Sequence, residues 1–444
     1  MTAARAPRFA AGAIATLLAA GVLSLAPAAS PDAVAAGSLV AASFEVAAGD
    51  SCEPGNPQYT TDVPVALDLL QSQKAWTRST GEGVLVAVVD SGIDASNVHL
   101  RGAVIGGRDF VLDGENPEGL SDTDGHGTAI AGQIAAREYT GSGVIGLAPA
   151  ADLLSVRVFR GQDDESVKAG FGPSIARMVE GIRYAADSRA TIINVSMSDF
   201  TDSPDLAAAV AYAEARGSLV VASAGNRVTA IDKTDGPRYP AAYPGALAVS
   251  AADSRGIVTD DSIHGAHVEI AAPGSQILTT ARGAGDCLYA AEAPTTSFAT
   301  AYVSAAAALV ASAHPEESPA EWKYRLMATG VRNNPDLRDD AAGWGIVQPF
   351  DAINLVSGAT TRGPANPNLD NAGSGIDRAV VTVQPDYAAS PFAITREAAI
   401  VVIVTALTLL GTIAVIIVLR RRRALDDADD DTPPPPARPG LLGS

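Results

Sequence analysis

Residues 84–92 read VLVAVVDSG, six apolar and mostly β-branched residues that run without interruption into an acid, a serine and a glycine. A strand with one wet face alternates apolar and polar residues, whereas a strand buried on both faces does not. This run therefore predicts a strand inside a sheet covered on both sides. Runs of the same kind occupy residues 153–158 (LLSVRV), 192–195 (IINV), 219–221 (LVV) and 246–249 (ALAV). Between them, residues 174–187, 204–216 and 298–313 have helical composition. Strand–helix–strand alternation predicts an α/β fold, a doubly wound and mainly parallel sheet with helices on both faces. In such sheets functional groups collect at the carboxyl ends of strands, which directs attention to Asp90.

Composition narrows what this core can serve. The chain has 444 residues, 47% hydrophobic and 18% charged, too apolar for global disorder. Its 31 basic and 50 acidic side chains give a net charge of −19. No nucleic-acid partner is expected, because that would need a basic stripe. Two cysteines cannot build a four-thiolate zinc site, and no metal or cofactor is expected.

Both ends point to a membrane. Arg5 and Arg8 precede an apolar run over residues 9–26, and Ala26, Pro27 and Ala28 offer a small-residue cleavage site. This is the layout of a secretory signal peptide, assigned to residues 1–28. Residues 398–419 carry no charge and would span about 33 Å as a helix, enough for a single transmembrane helix. Arg420, Arg421, Arg422 and Arg423 follow, and such clusters stay on the cytoplasmic side. The body is therefore expected in the cell membrane's outer space, with residues 420–444 as a cytoplasmic tail. Residues 356–397, rich in Gly, Pro and Asn, read as a flexible stalk. That leaves residues 29–64 as an N-terminal extension and 65–355 as the catalytic body. Cys52 and Cys287 lie in the outward part, where a disulfide persists. Closing so long a loop would stabilise by about 4–5 kcal/mol. Two free thiols or pairing with another chain are the alternatives.

Four residues stand out as chemistry. Asp90 ends the strongest strand, although an Asp before Ser-Gly also suits a plain turn. His126 lies in Asp124-Gly125-His126-Gly127-Thr128 at the start of a helical run, a setting that core packing explains poorly. The positive end of that helix disfavours the imidazolium, so a neutral base is expected at pH 7. Asn226 follows the strand at 219–221, and its amide suits either a turn or donation to an oxyanion. Ser297 opens a small-residue helix as an N-cap or as a nucleophile held on a turn.

In the order Asp90, His126, Asn226, Ser297, the constellation resembles the subtilisin-like serine proteases, whose triad runs Asp, His, Ser. Gly146-Leu147-Ala148-Pro149, Tyr239-Pro240-Ala241-Ala242-Tyr243-Pro244 and Ala271-Ala272-Pro273-Gly274 match further segments of that family, and the resemblance covers residues 65–353. With the signal peptide, Cys-bearing extension, stalk and anchor, the chain is most similar to the mycosins, membrane-anchored proteases associated with type VII secretion. The resemblance implies a serine endopeptidase in which Ser297 attacks, His126 carries the proton and Asp90 orients His126. Asn226 would complete an oxyanion hole. Ser196, Met197, Ser198 and Ala222, Ser223, Ala224, Gly225 would line the cleft for a protein or peptide substrate. The alternative is a catalytically weak fold that stabilises the secretion membrane complex. Two departures bear on this. Thr295 and Ala301 stand where the family motif has Gly and Pro, so strain is expected at Thr295 if that position needs a glycine conformation. Met197, Ser198 and Asp199 replace the usual Leu-Gly stretch and predict a narrower cleft. Asp122 and Asp124 are expected in turn chemistry rather than calcium binding, and His264, His267 and His314 as surface or loop histidines.

Overall fold

The computed structural model describes residues 52–358 and 360–369, together with residues 405, 408–410, 412–413 and 416–417. The expected signal peptide, the extension before Cys52, most of the stalk and the cytoplasmic tail lie outside the described residues.

Nine strands are described: β1 Leu85–Asp90, β2 Val104–Asp109, β3 Asp152–Arg157, β4 Ile192–Val195, β5 Leu219–Ser223, β6 Ala246–Ala252, β7 Ile270–Pro273, β8 Ile277–Ala281 and β9 Gly285–Tyr289. The helices are α1 Val65–Leu69, α2 Ser72–Trp76, α3 His126–Ala135, α4 Asp164–Lys168, α5 Ile175–Asp187, α6 Pro204–Ala215, α7 Thr296–Ala313, α8 Pro319–Thr329 and α9 Pro349–Asn354. β1 to β7 form one parallel sheet in the order β2-β3-β1-β4-β5-β6-β7. The doubly wound parallel sheet is the architecture expected from the apolar runs.

Period-two alternation sorts β1 between two cores. Val86 and Val88 pack with α3 and α7, while Ala87 and Val89 pack with α5 and α6. β1 has β3 on one side and β4 on the other, so the chain reverses its direction of winding at β1. Asp90 thus ends the strand at the switch point, where an open α/β sheet leaves a crevice.

α7 runs behind this crevice and is buried from Thr296 to Ala311. Among the described residues it is the one helix long and apolar enough to cross a membrane, and its burial makes it a core helix. Its alanines let its backbone lie close to the sheet. β2 and the β8–β9 hairpin escaped the apolar-run reading for a physical reason. β2, VIGGRD, is a half-exposed edge strand with two glycines, and β8–β9 is antiparallel.

The extension is tied down from Cys52 onward. Gly55 N–H donates to Gly283 O at 2.7 Å, Gln58 N–H to Ala284 O at 2.8 Å, and Asp286 N–H to Gln58 O at 2.8 Å. Cys52 is bonded to Cys287 with a Cα–Cα separation of 5.4 Å, within the ordinary disulfide range. At the other end, the described part of the compact unit continues to Leu369, past the expected start of the stalk. Asn368 Nδ2 donates to Glu321 Oε1 at 2.6 Å and Arg362 Nε to Asp336 Oδ1 at 3.0 Å. Loop composition here marks irregular backbone that still has partners. In the second unit, residues 405, 408–410, 412–413 and 416–417 are helical with exposed side chains, inside the run expected to cross a membrane.

Candidate active site

β1 delivers Asp90 fully buried at its carboxyl end. One carboxylate oxygen, Oδ1, accepts from Ser91 N–H at 2.8 Å and from His126 Nδ1 at 2.8 Å. That contact fixes the proton of a neutral His126 on Nδ1 and leaves Nε2 as the free base. The His126 side chain is 18% exposed and that of Asp90 fully buried, so the pair is nearly closed to solvent.

The glycines around His126 have separate causes. Gly125 is the N-cap of α3 with φ 98°, a left-handed conformation that side chains disfavour. A Cβ on Gly127 would lie 2.1 Å from the Gly92 carbonyl oxygen and 3.2 Å from Asp90 Cβ. Only glycine lets the first turn of α3 approach the end of β1 closely enough for the Asp90–His126 contact. Asp122 holds the same loop. Its Oδ1 accepts from Ser91 Oγ, Asp124 N–H and Gly125 N–H at 2.9, 3.1 and 2.8 Å. Its Oδ2 accepts from Thr128 N–H and Oγ1 at 2.9 and 2.6 Å. Asp122 therefore does turn chemistry, and so does the more exposed Asp124, whose Oδ1 accepts from His126 N–H at 3.3 Å.

The expectation of a disfavoured imidazolium does not hold. Burial opposes the charge, but Asp90, with Asp124 and Asp122 behind it, outweighs burial and pushes the His126 pKa up to about 9. Three carboxylates outweigh the helix start, whose effect is about 0.3–1 kcal/mol.

Ser297 is the second residue of α7 and 8% exposed. Thr295, not Ser297, is the N-cap, and its φ of −122° and ψ of 140° are ordinary extended values. The strain expected at Thr295 is absent, because no left-handed conformation is required there. Ser297 Oγ lies 3.3 Å from Thr295 Oγ1, and among the described residues no hydrogen bond joins Ser297 to His126. Phe298, the next residue, packs near His126, its ring centroid 5.7 Å from that of the imidazole. Asn226 Oδ1 accepts from Thr296 N–H at 2.7 Å and Thr296 Oγ1 at 2.9 Å. These bonds orient the side-chain amide so that its NH₂ is left to donate beside Ser297. Thr296 had no signal in the sequence, because a Thr in a helix start reads only as a cap.

Both segments expected to line the cleft reach the same place. Ser196 Oγ donates to the Ser297 carbonyl at 3.0 Å, and Asn194 Nδ2 donates to Ser196 Oγ at 2.9 Å. Met197 is buried and Ser198 half-buried, and the backbone of neither takes part in a loop hydrogen bond among the described residues. An extended peptide can pair with such an edge. Ala222 and Ser223 end β5, and Ser223 Oγ bonds Thr296 Oγ1 at 2.6 Å. Ala224 and Gly225 continue toward Asn226, with Gly225 N–H donating to Ser223 Oγ at 3.3 Å.

Sequence reasoning also missed Arg157. It is fully buried, donates from Nε to the Ser91 carbonyl at 3.1 Å, and binds Asp109 at 3.1 Å and Asp113 at 2.8 Å. An Arg inside an apolar strand is the signal that could have found it. Elsewhere, His314, Glu316 and Glu317 gather ligand atoms within 4.8 Å. Arg325 Nε already occupies Glu317 at 2.6 Å, which disfavours a second cation.

The arrangement supplies a carboxylate–imidazole pair at the end of β1 and a carboxamide held on Thr296 at the start of α7, next to the Ser297 hydroxyl, which are the groups that acyl transfer to a serine uses. Residues 81–345 match the Subtilase family, Peptidase_S8. The chain is 37% identical over 257 residues to thermitase of Thermoactinomyces vulgaris, covering 58% of this chain and 85% of that protein. The crystal structure of MycP1 from Mycobacterium smegmatis superposes with a TM-score of 0.59 at 27% identity, over 72% of this chain and 92% of that one. The MycP3 protease from the type VII (ESX-3) secretion system gives a TM-score of 0.57 at 30% identity, over 68% and 89%. By sequence match, fold and strand-end chemistry alike, the chain belongs to the subtilase family and is a subtilisin-like serine endopeptidase.

Proposed function

We propose that Ser297 is the nucleophile of a membrane-anchored, outward-facing endopeptidase that cleaves a secreted or secretion-system protein in a type VII secretion setting. The observation that carries the catalytic part is the 2.8 Å contact of buried Asp90 with His126 Nδ1, which leaves Nε2 as the base, while Phe298, the chain neighbour of Ser297, packs on the His126 ring. In the first step His126 Nε2 takes the Ser297 hydroxyl proton as Oγ attacks the peptide carbonyl. Asp90 holds the tautomer and stabilises the imidazolium. The Asn226 amide and the Ser297 N–H receive the negative charge that develops on the carbonyl oxygen. Collapse of the tetrahedral intermediate gives the acyl-enzyme, with His126 handing its proton to the leaving amine. Water, activated by His126, then releases the acid.

The setting rests on the mycosin structures, together with the signal-like start, the uncharged run at 398–419 and the Arg cluster after it. The extension is proposed to stay attached after maturation, because Cys52 is bonded to Cys287 and Gln58 pairs along β9. A second reading, a scaffold whose catalysis is weak, is favoured by the contact of Ser297 Oγ with Thr295 in place of His126.

Fluorophosphonate labelling of the detergent-solubilised protein tests the catalytic reading. Label on the wild type that disappears in Ser297→Ala and His126→Ala is expected. A folded wild type that takes no label would overturn it and leave the scaffold.

A further inference from the structure

Gly225 ends one of the two segments proposed to line the cleft, and Ser198 belongs to the other. A Cβ on Gly225 would meet Arg238 Cγ at 3.0 Å, Ile263 Cγ1 at 3.2 Å and Ser198 Oγ at 3.3 Å. The space beside Gly225, on the side toward Ser198, is therefore already occupied. Its longest occupant is the aliphatic stem of Arg238, a residue only 4% exposed.

Arg238 is held there at both ends. Its Nη1 donates to the carbonyls of Gly236 at 3.3 Å and Pro237 at 3.0 Å. Its Nη2 donates to those of Asp232 at 2.7 Å and Thr234 at 2.8 Å. These bonds satisfy a buried guanidinium from one loop, and swinging it away would leave its donors unpaired. On the backbone side, Tyr239 and Asp199 exchange N–H···O bonds at 2.8 and 2.9 Å. That antiparallel pairing puts Arg238 opposite Phe200 and diagonal to Ser198. His267 braces the other wall, its Nε2 donating to the Ala224 carbonyl at 3.2 Å.

We propose that Arg238 is a specificity-determining plug. By filling the gap between Ser196-Met197-Ser198 and Ala222-Ser223-Ala224-Gly225, it restricts the substrate residue just before the scissile bond to small side chains such as Ala, Ser and Gly. This rests on Ser297 being the nucleophile and on those two segments binding substrate. A Phe or Leu at that position would need the volume the stem already takes, and a close-packed site does not yield it cheaply. A carboxylate gains little, because the four terminal N–H groups of Arg238 are already directed to main-chain oxygens.

The test uses the full-length protein in detergent and quenched peptides that differ only before the scissile bond, carrying Ala, Ser, Glu, Leu or Phe. Wild type is expected to favour Ala and Ser over Phe by about tenfold or more in kcat/KM. Arg238→Ala, which opens the gap, should raise cleavage after Phe and Leu relative to Ala by about tenfold or more. Arg238→Met keeps the stem and should keep the small-residue preference. A wild type that prefers Phe or Leu overturns the proposal without any variant. So does a folded Arg238→Ala with an unchanged profile, or a wild-type preference for Glu that both variants lose, which would make Arg238 a charge selector. Fluorophosphonate labelling separates the two levels: an unlabelled wild type refutes the nucleophile, and a labelled enzyme indifferent to side-chain size refutes the plug alone.

Discussion

Replacing Gly127 by Ala is a one-methyl test of how the Asp90–His126 pair is assembled. The new Cβ would sit 2.1 Å from the Gly92 carbonyl oxygen, whereas real Cβ contacts do not fall below 3.0 Å. The first turn of α3 and the loop after β1 must therefore separate by roughly 1 Å. His126 lies one residue away, and its bond to Asp90 is 2.8 Å long, so that separation breaks or bends it. A misplacement of about 1 Å costs on the order of 10²-fold in rate, and overpacking costs about 1–3 kcal/mol of stability. The expected outcome is a fall of about 10²-fold in kcat/KM or in fluorophosphonate labelling rate, with Tm lowered by about 2–10 °C. Gly170→Ala is the control, because Gly170 has φ 81° and nothing within 4 Å of its Cβ position. It should lose stability through backbone strain and keep its labelling rate. If Gly127→Ala labels as fast as wild type, the close approach of α3 to β1 is not what sets the pair.

Further expectations follow from the same site. His126 must be neutral to accept the Ser297 proton, so its raised pKa moves the acid limb of kcat/KM upward, toward about 9 and above the ordinary 6.5. Asp124→Asn removes one attracting carboxylate and should shift that limb to lower pH; an unmoved limb would exclude Asp124 as a contributor. Asn226→Ala should lower kcat by about 10²–10³, a size known from the matching donor of a subtilisin, with substrate binding little changed. A rise in KM alone, with kcat unchanged, would argue against an oxyanion role. Arg157→Met leaves Asp109 and Asp113 buried without their cation and should cost about 3–5 kcal/mol in urea unfolding. Asp113 is held below its ordinary 3.8 by the Arg157 hydrogen bond, so this stabilisation is present above that pH and fades as pH falls through the lower folded value.

The sheet was legible because its central strands are buried on both faces. Residues 84–89 and 192–195 carry no polar residue that the fold must expose, and they appear as β1 and β4. β2 was not legible, because an edge strand needs no apolar run and this one contains Gly106 and Gly107. At the site, Asp90, His126, Asn226 and Ser297 were legible because each is a reactive side chain at a strand end or helix start. Thr296 and Arg157 were not, since they act through geometry that exists only after folding, and Asp122 was legible as a turn residue but not as a link between loops. Asp122 joins two loops by five hydrogen bonds, and nothing in its neighbours' identities announces that. The charge state of His126 was misjudged for the same reason. Asp122 and Asp124 stand within four residues of His126 in the sequence, but that folding adds their charge to that of Asp90 at the imidazole is not visible there.

Thr295 shows how a family motif can be weighed physically. Its departure from Gly would signal damage only if the site needed a left-handed backbone, and the observed φ of −122° does not. The side chain still has a consequence, since its Oγ1 lies 3.3 Å from Ser297 Oγ and competes for the hydroxyl that His126 must reach. Removing that competitor releases a hydrogen bond of about 0.5–1.5 kcal/mol. Thr295→Ala should therefore raise the labelling rate of Ser297 by roughly two- to tenfold. Thr295→Gly should do no better, because it removes the same hydroxyl and has no strain to relieve. The comparison separates two explanations that the motif alone confounds. If Gly accelerates labelling well beyond Ala, a backbone requirement exists that the extended conformation of Thr295 conceals. If both raise it equally, the hydroxyl is the brake, and this subtilase keeps its nucleophile turned away until substrate draws it toward His126.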